Sequence, residues 1–445
     1  MDPVVLSVVG GGAADVETHN AEARHRFGRL YFAVGMHHNN DIASLLNWLD
    51  AQQDEMLRLV RRWAQINSGS HNLAGLAQLI ADVQGEFESL GGQITLIDLP
   101  PAQSIDSAGN VVHQPLGQAI RIVKRPDAPR RVLLNIHLDT VYGPEHPFQQ
   151  VQRLDDRTLR GPGVADAKGG LVVMLFALRA LEQSNLAPQP GWEILLNPDE
   201  EIGSPGSGPL LTATAGRHRI ALCFEPSLPD GSLVGARKGS GNFTLVVRGR
   251  AAHAGRDFHL GRSAIVAVAE FITRLHALSR QLPEGVTINC GRIEGGGAVN
   301  VVPDLAIGRF NVRVTEPAQV PVVERSLREL ANELNRRDGI RAELHGGMHA
   351  PPKTLDPRSL ALLEMIRDCG RELNLDLKWQ PSGGASDGNR LAAAGLAVVD
   401  TMGPRGGSLH SDGEFLLIDT LAERAKLTLL TLVQLARSDA FDLLW

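Results

Sequence analysis

Apolar and polar residues follow two different repeats along this chain. Between residues 42 and 90, apolar residues recur at three- and four-residue steps, the spacing of helices that are packed on one face. Residues 68–70 interrupt the repeat, so we expect a second helix from about residue 73 to residue 90. Beyond residue 90, short apolar stretches alternate with helical patterns. This alternation predicts an α/β fold with a mostly parallel sheet and helices on both of its faces.

Four apolar stretches are predicted to be buried strands of this sheet. Each of them ends in polar residues: RVLLNIHLD, WEILLNPDEE, RIALCFEP and LAVVDTMGP. The helical segment GGLVVMLFALRALEQS lies between the first two. Because open α/β sheets carry their sites at the carboxyl ends of the strands, the polar residues at these ends are the first candidates for function.

Between residues 236 and 347 the predicted order becomes strand, helix, strand, strand, helix, strand. This order is typical of a four-stranded antiparallel sheet covered by two helices, a ferredoxin-like α+β unit. Strand–helix units of the first kind resume near residue 350, so we expect the unit to be inserted. The predicted divisions are an N-terminal extension over 1–43, a catalytic domain over 44–235 and 348–445, and the inserted domain over 236–347.

Composition narrows the possible classes of protein. The 445 residues carry a net charge of −6, with 43% apolar and 21% charged residues, which favours a globular protein and argues against nucleic acid as a partner. Cys223, Cys290 and Cys369 are too far apart for a cysteine zinc finger and suit a reducing compartment. The chain has no stretch of 18 apolar residues and no recognisable targeting signal, so we expect a cytoplasmic protein that does not enter membranes.

Side chains that bind metals follow the ends of the predicted strands. His137 and Asp139 are two residues apart on a strand and share a face, and a carboxylate behind an imidazole fixes the tautomer of a metal ligand. Asp166 lies in a glycine-rich loop that opens a helix and permits close approach of the backbone. Its carboxylate could bridge two metal ions or simply cap the helix.

Two adjacent carboxylates suggest how the chemical work is divided. The side chains of Glu200 and Glu201 must diverge, so one can bind metal while the other acts as a general base. Glu225 follows another buried strand, and His410 lies in a second glycine-rich loop. Two histidines and three carboxylates without a thiolate suit Zn²⁺, although Co²⁺ and Mn²⁺ fit nearly as well.

Eight motifs in a fixed order carry a family resemblance. They are HLDTVYG, GPGVADAKGG, NPDEEIGSPGS, CFEPS, GRAAHAG, NVVPDLAIGRFNVRV, GGASDGNRLAAAG and LHSDGEF. The chain resembles the M20 family of dinuclear zinc peptidases over about residues 45–440, and most closely its glutamate carboxypeptidase (carboxypeptidase G2-type) branch. The family often has Gly-Gly-Thr-Asp where residues 384–387 read Gly-Ala-Ser-Asp, which leaves the details of the substrate open.

The resemblance implies a site for two Zn²⁺ ions in each chain. Asp166 would bridge the two ions. His137 and Glu225 would complete one of the two sites. Glu201 and His410 would complete the other.

The resemblance also implies roles around the metal site. Glu200 would be the general base for a bridging hydroxide, and Asp139 would orient the first histidine ligand. The inserted domain would serve as a lid and dimerisation domain, so that the protein is a homodimer. In this domain His253 would reach the active site of the neighbouring subunit. Asn300 and Arg313 would hold the carbonyl and the carboxylate of a small peptide or N-acyl amino acid.

The expected activity is hydrolysis of an amide bond next to a free carboxylate. An N-acyl-amino-acid deacylase, or an acetylornithine deacetylase-like enzyme, would use the same residues. A binding protein that merely kept the fold would be expected to have lost a ligand or the base, and neither is missing. A two-metal phosphatase would need a more basic surround than Lys168, Arg237 and Lys238. Other histidines, His349 among them, are expected to be solvated or packed.

Overall fold

The computed structural model describes residues 36–186 and 189–437, and side chains from residue 41 onward. Its first helix begins within the segment predicted to be an N-terminal extension, so residues 36–43 are helical. Residues 1–35 of that segment lie outside the described residues. The α-helices are α1 (Met36–Ala51), α2 (Gln53–Ala64), α3 (Leu73–Glu88), α4 (Gly170–Gln183), α5 (Gly208–Ala215), α6 (Ala264–Ser279), α7 (Gln319–Leu334), α8 (Pro357–Glu372), α9 (Asp387–Ala393) and α10 (Thr420–Arg437).

The strands, like the helices, are numbered in chain order. They are β1 (Gln93–Ile97), β2 (Ala102–Ile105), β3 (Val111–Gln114), β4 (Ala119–Lys124), β5 (Arg131–His137), β6 (Gln152–Arg153), β7 (Thr158–Arg160), β8 (Gly191–Asn197), β9 (Ile220–Cys223), β10 (Leu233–Arg237), β11 (Gly239–Arg248), β12 (Ala252–His253), β13 (Thr287–Gly295), β14 (Val301–Val302), β15 (Leu305–Val314), β16 (Arg341–Ala350), β17 (Trp379–Ser382), β18 (Ala397–Val399), β19 (Gly406–Gly407) and β20 (Phe415–Leu417).

The main sheet has six strands in the order β1-β4-β8-β5-β9-β18. The four strands that the apolar stretches predict, β8, β5, β9 and β18, are parallel neighbours. Strands β4 and β1 extend this sheet with antiparallel pairing. The predicted mixed α/β fold is therefore confirmed, but the sheet is parallel in only one part.

Successive side chains of the main sheet point to opposite faces, and apolar side chains are buried on both. On β5, Val132, Leu134 and Ile136 pack into a large core with residues of α2, α3, α4 and α10. Leu133 points the other way, into a smaller core with residues of α5 and α9. This two-sided burial explains why the parallel strands are continuous apolar runs rather than alternating ones.

The interruption at residues 68–70 has a structural role. Ser70 donates its backbone N–H to the carbonyl oxygen of Thr140, and Thr140 donates to Ser68, so this segment lies beside the residues that follow β5. Helix α3 then begins after Asn72, whose side chain accepts a hydrogen bond from the Gly75 N–H at 3.2 Å. The break between the two helices thus brings Ser70 to the carboxyl end of the central strand.

The second sheet is antiparallel and has the order β13-β15-β11-β16. Helices α6 and α7 cover one of its faces and share a core with it. On β15, Phe310 and Val312 are buried in this core, while Arg309, Asn311 and Arg313 are half-buried on the opposite face. This alternation leaves three polar side chains of one strand on a common surface.

The chain crosses between the two sheets twice, and the crossings are tied together. Arg237 and Lys353 exchange backbone hydrogen bonds of 2.9 and 3.0 Å. Both side chains also reach the buried carboxylate of Asp400, at 2.7 Å from Arg237 Nε and 3.2 Å from Lys353 Nζ. Asp400 follows β18, so the second sheet is anchored to the carboxyl edge of the main sheet. Among the described helices, none combines the length and apolarity that crossing a bilayer would require.

Candidate active site

The carboxyl edge of the parallel strands brings the predicted site residues together. His137 is the last residue of β5, and Glu225 follows β9. Glu200 and Glu201 begin a short 3₁₀ turn after β8. Because β5 lies between β8 and β9, its terminal histidine faces the carboxylates that follow both neighbouring strands.

Five side chains form a cluster at this edge, which we call the ligand cluster: His137, Asp166, Glu201, Glu225 and His410. His137 Nε2 lies 2.9 Å from Asp166 Oδ1, and His410 Nε2 lies 3.4 Å from Asp166 Oδ2. His410 Nε2 is also 3.2 Å from Glu201 Oε2, and His137 Nε2 is 3.7 Å from Glu225 Oε2. The two oxygens of Asp166 therefore face different histidines, as a carboxylate bridging two ions must.

The turn that carries Asp166 is packed closely against neighbouring backbone. It spans Val164–Gly169 and leads directly into α4, and the peptide bond after Asp166 is cis. A Cβ atom added at Gly170 would lie 2.0 Å from the Phe224 carbonyl oxygen, so this position requires glycine. The glycines of the motif thus permit the close approach that the sequence predicts, next to the segment that carries Glu225.

Asp139 is completely buried behind the ligand cluster. His137 Nδ1 lies 3.1 Å from the Asp139 carbonyl oxygen and 3.3 Å from its carboxylate, which leaves Nε2 free for a metal. The same carboxylate accepts hydrogen bonds from the Ser70 hydroxyl at 2.7 Å and from the backbone N–H groups of Glu200 and Glu201 at 3.1 Å.

The charges of the ligand cluster fit bound cations. Burial and the nearby Asp166 raise the pKa of Glu201 to about 6, and burial raises the pKa of Glu225. Hydrogen bonds to Asp166 and Glu201 raise the pKa of His410 to about 11. The cluster contains three carboxylates and two imidazoles. The raised pKa values mean that its side chains bind protons more readily, and these protons offset the negative charge of the carboxylates. Divalent ions would replace these protons, and oxygen and nitrogen ligands without sulfur suit Zn²⁺, Co²⁺ or Mn²⁺.

A cavity of about 320 Å³ opens beside the ligand cluster and lies between the two sheets. The main sheet contributes Glu200, whose carboxylate has no hydrogen-bond partner among the described residues. Arg313 lines the same cavity from β15, and its Nε donates to Asn311 at 2.9 Å. Within the part of the chain that the structure describes, no ion pair involves Arg313. The cavity thus combines an unpaired carboxylate with an unpaired guanidinium.

The other two residues of the inserted domain with a predicted role, His253 at the active site of the neighbouring subunit and Asn300 on the substrate, lie outside this cavity. His253 is exposed on β12, and its ring Nδ1 accepts the backbone N–H groups of Gly255 and Arg256, both at 3.1 Å. Asn300 is exposed beside it, and its carbonyl oxygen accepts the Ala254 N–H at 2.9 Å. The structure therefore places His253 and Asn300 together, but apart from Glu200 and Arg313 of the same chain.

Several residues lie near the site although the sequence analysis gives them no role in it. His349 and Arg390 line the cavity, and the Arg390 guanidinium donates to the His349 carbonyl oxygen at 2.6 Å. Lys168 is fully buried and donates to the Ser68 hydroxyl at 2.7 Å. Glu414 is fully buried next to the Asp166 turn. Its place in the motif LHSDGEF, four residues after His410, is the one signal that could have indicated it.

A histidine–carboxylate cluster at the carboxyl edge of an α/β sheet is the arrangement expected of a metal-dependent hydrolase. The model of peptidase family M20/M25/M40 matches residues 133–434, which is more than half of the chain. The protein therefore belongs to this family of metallopeptidases. The family is metal-dependent, and the ligand atoms of His137, Asp166 and Glu201 lie within 4.8 Å of one another in a possible metal site.

Individual relatives agree with this assignment. Carboxypeptidase G2 from Pseudomonas sp. (strain RS-16) is 25% identical over 381 residues, which cover 84% of this chain and 87% of the relative. A tripeptidase from Staphylococcus aureus subsp. aureus Mu50 has a similar structure, with a TM-score of 0.67 and 22% identity. The match covers 87% of this chain and 99% of the tripeptidase. An M20 family metallo-carboxypeptidase from Sulfolobus solfataricus has a TM-score of 0.66 and is 18% identical, and the match covers 86% of this chain and 99% of that protein. The two structures share the fold.

We expect Zn²⁺ to stabilise the protein through the ligand cluster. At a free concentration of about 100 Kd the gain is about 2.7 kcal/mol, visible as a higher melting temperature. His137→Ala should abolish most of this shift, whereas His113→Ala, on an exposed hairpin strand, should preserve it. The shift should shrink as the pH falls from about 8 to about 6, because Zn²⁺ must displace the proton of His410. A full shift in His137→Ala would contradict the assigned site.

Proposed function

We propose that the protein uses two metal ions to hydrolyse an amide bond next to a free carboxylate, as a carboxypeptidase does. The observation that carries this proposal is that Arg313, from the second sheet, lines the same cavity as Glu200. A guanidinium without an acidic partner is suited to gripping a substrate carboxylate with two hydrogen bonds. The name of the relative carboxypeptidase G2 supports the same activity.

The proposed metal site uses all five side chains of the ligand cluster. Asp166 would bridge the two ions, His137 and Glu225 would complete one site, and Glu201 and His410 the other. We propose Zn²⁺ as the metal, with Co²⁺ or Mn²⁺ as substitutes. When bound, the ions would polarise the scissile carbonyl and lower the pKa of a water molecule at the site.

Glu200 is the proposed general base. Burial raises its pKa well above the usual value, with nearby carboxylates adding to the shift, so it binds a proton readily. It would take a proton from the attacking water and return it to the nitrogen of the departing amine. Asp139 would keep the His137 imidazole oriented, and Arg313 would place the substrate with its scissile bond beside Glu200.

We also propose that the protein is a homodimer formed through the inserted domain. Large apolar side chains are exposed there: Phe258, Leu260, Ile265, Val266, Ile293, Val299 and Val301. Strand β13 forms an edge of the second sheet and can accept further contacts. His253 and Asn300 lie on this exposed side, from which His253 would reach the cavity of the other subunit. Cys223 and Cys290 form no disulfide bond among the described residues, which fits our proposal of a cytoplasmic location.

Glu200→Gln should lower kcat by about 10²–10⁴-fold, the usual scale for a lost general base, and leave the metal content unchanged. Kinetics on N-acyl amino acids and dipeptides, combined with metal analysis, would test this expectation. Glu201→Gln serves as the matched control, because it removes a proposed ligand and should lose metal. If Glu200→Gln lost as much metal as the control, the roles of the two residues would be reversed.

Amidating the free carboxylate of the substrate should lower kcat/KM by about 10²–10³-fold, which corresponds to roughly 3–4 kcal/mol. Arg313→Ala should cause a similar loss on the free acid and little further loss on the amide. Arg309→Ala is the matched control, since Arg309 lies on the same strand and face but pairs with Glu294 at 2.7 Å. An Arg313→Ala enzyme that still preferred the acid as strongly as wild type would rule out this residue as the clamp.

Mixing inactive His253→Ala and Glu200→Gln subunits should restore activity, because one site of each mixed dimer would contain an intact base and an intact partner histidine. Random exchange predicts recovery of about a quarter of the wild-type rate. Mixing Glu200→Gln with Glu201→Gln should restore nothing, as both residues act within one chain. The proposal fails if a tag pulldown shows exchange but His253→Ala gains no activity.

A further inference from the structure

Glu414 is a buried carboxylate that the proposed reaction does not use. Its side chain is fully buried, and no ion pair involves it in the part of the chain that the structure describes. Leaving a charge in the interior is costly unless it is compensated by hydrogen bonds. The groups that compensate this charge should therefore indicate what Glu414 does.

Three backbone N–H groups at the start of the Asp166 turn and just before it donate to Glu414. The Gly163 N–H reaches Oε2 at 3.1 Å, while the N–H groups of Ala165 and Asp166 reach Oε1 at 3.0 and 3.1 Å. The Glu414 carbonyl oxygen accepts a fourth N–H, from Gly161, at 3.2 Å. Glu414 thus binds the backbone of Asp166 itself and of residues just before it in the chain.

The two oxygens of the Glu414 carboxyl group match this arrangement of donors. An ionised carboxylate accepts hydrogen bonds at both oxygens and donates none, whereas the amide of glutamine would direct N–H groups at backbone donors. Charge-assisted hydrogen bonds of this kind are stronger than those between neutral groups. The turn is therefore held by a group that accepts hydrogen bonds at both of its oxygens, which glutamine cannot do.

Glu414 also belongs to the segment that carries His410. Strand β20 begins at Phe415 and pairs with Arg160 of β7, which places Glu414 opposite the start of the Asp166 turn. Between His410 and Glu414, the Ser411 carbonyl oxygen accepts the Tyr142 hydroxyl at 2.9 Å. One short segment thus supplies a ligand and fixes the backbone of the carboxylate that faces both histidines.

We propose that Glu414 is a positioning residue that holds Asp166 with one oxygen toward each metal ion. This inference rests on the proposed two-metal site and adds a residue outside the ligand cluster to it. Without the three hydrogen bonds, the turn could rotate Asp166 away from the bridging orientation. The loss should appear in metal binding itself, before any substrate is present.

The test is a Co²⁺ titration of the metal-free full chain, followed by the visible absorption of the bound ion. Glu414→Gln should bind Co²⁺ at least about 10-fold more weakly than wild type. Its spectrum at saturation should also differ, because the bridging carboxylate is no longer fixed. If Glu414→Gln fails to fold, Glu414→Asp is measured against the same criteria, since it keeps both oxygens but is one methylene shorter.

Glu193→Gln is the matched control. Glu193 is a buried glutamate near the opposite end of β8, where Arg121 and Arg217 each donate to it at 2.7 Å. This variant should lose thermal stability without a change in Co²⁺ affinity or spectrum. Two results would overturn the inference about Glu414 but not the proposed function. They are a Co²⁺ affinity of the Glu414 variant within about twofold of wild type, and weaker binding with an unchanged spectrum. Wild-type protein that binds no Co²⁺ would overturn the proposed function as well.

Discussion

The carboxylate of Asp139 is the interaction on which the rest of the site depends. It joins three segments that are distant in sequence: the end of β5, the turn after β8 and the break between α2 and α3. Because Asp139 follows the central strand, its carboxylate can contact both Ser70 and the turn that carries Glu200 and Glu201. Because Asp139 is fully buried, water does not compete for these hydrogen bonds, and each is stronger than it would be at the surface.

This constraint explains how two adjacent glutamates come to have different surroundings. The backbone N–H groups of Glu200 and Glu201 both point at Asp139, so their side chains leave the turn in other directions. Both residues line the cavity, but Glu201 also contacts His410 at 3.2 Å, whereas the Glu200 carboxylate has no hydrogen-bond partner among the described residues. The difference between a proposed ligand and a proposed base is therefore set by the backbone of the turn and not by the chemistry of the two side chains.

The sequence predicts the parts of the structure in which local pattern and tertiary role coincide. The four parallel strands are continuous apolar runs, and His137, Glu201 and Glu225 lie at or just after their ends, so the sequence predicts both. Strands β19 and β20, which flank His410, have two and three residues and show no readable periodicity. Glu414 was missed for another reason: its partners are backbone N–H groups some 250 positions away, and backbone groups leave no trace in a sequence. His349 and Arg390 likewise gain their positions only when the second sheet packs over the first.

Charges of both signs line the cavity. The side of the main sheet presents the Glu200 and Glu201 carboxylates and the Arg390 guanidinium, and the second sheet presents the Arg313 guanidinium. A substrate that carries a carboxylate at one end would be oriented by this field before it makes close contact, provided that metal ions offset the charge of the ligand cluster. The two sheets are tied together where the chain crosses between them, by the contacts of Arg237 and Lys353 with Asp400. In the proposed reaction, buried ion pairs outside the lining of the cavity thus help to hold the sheet that carries the clamp against the sheet that carries the base.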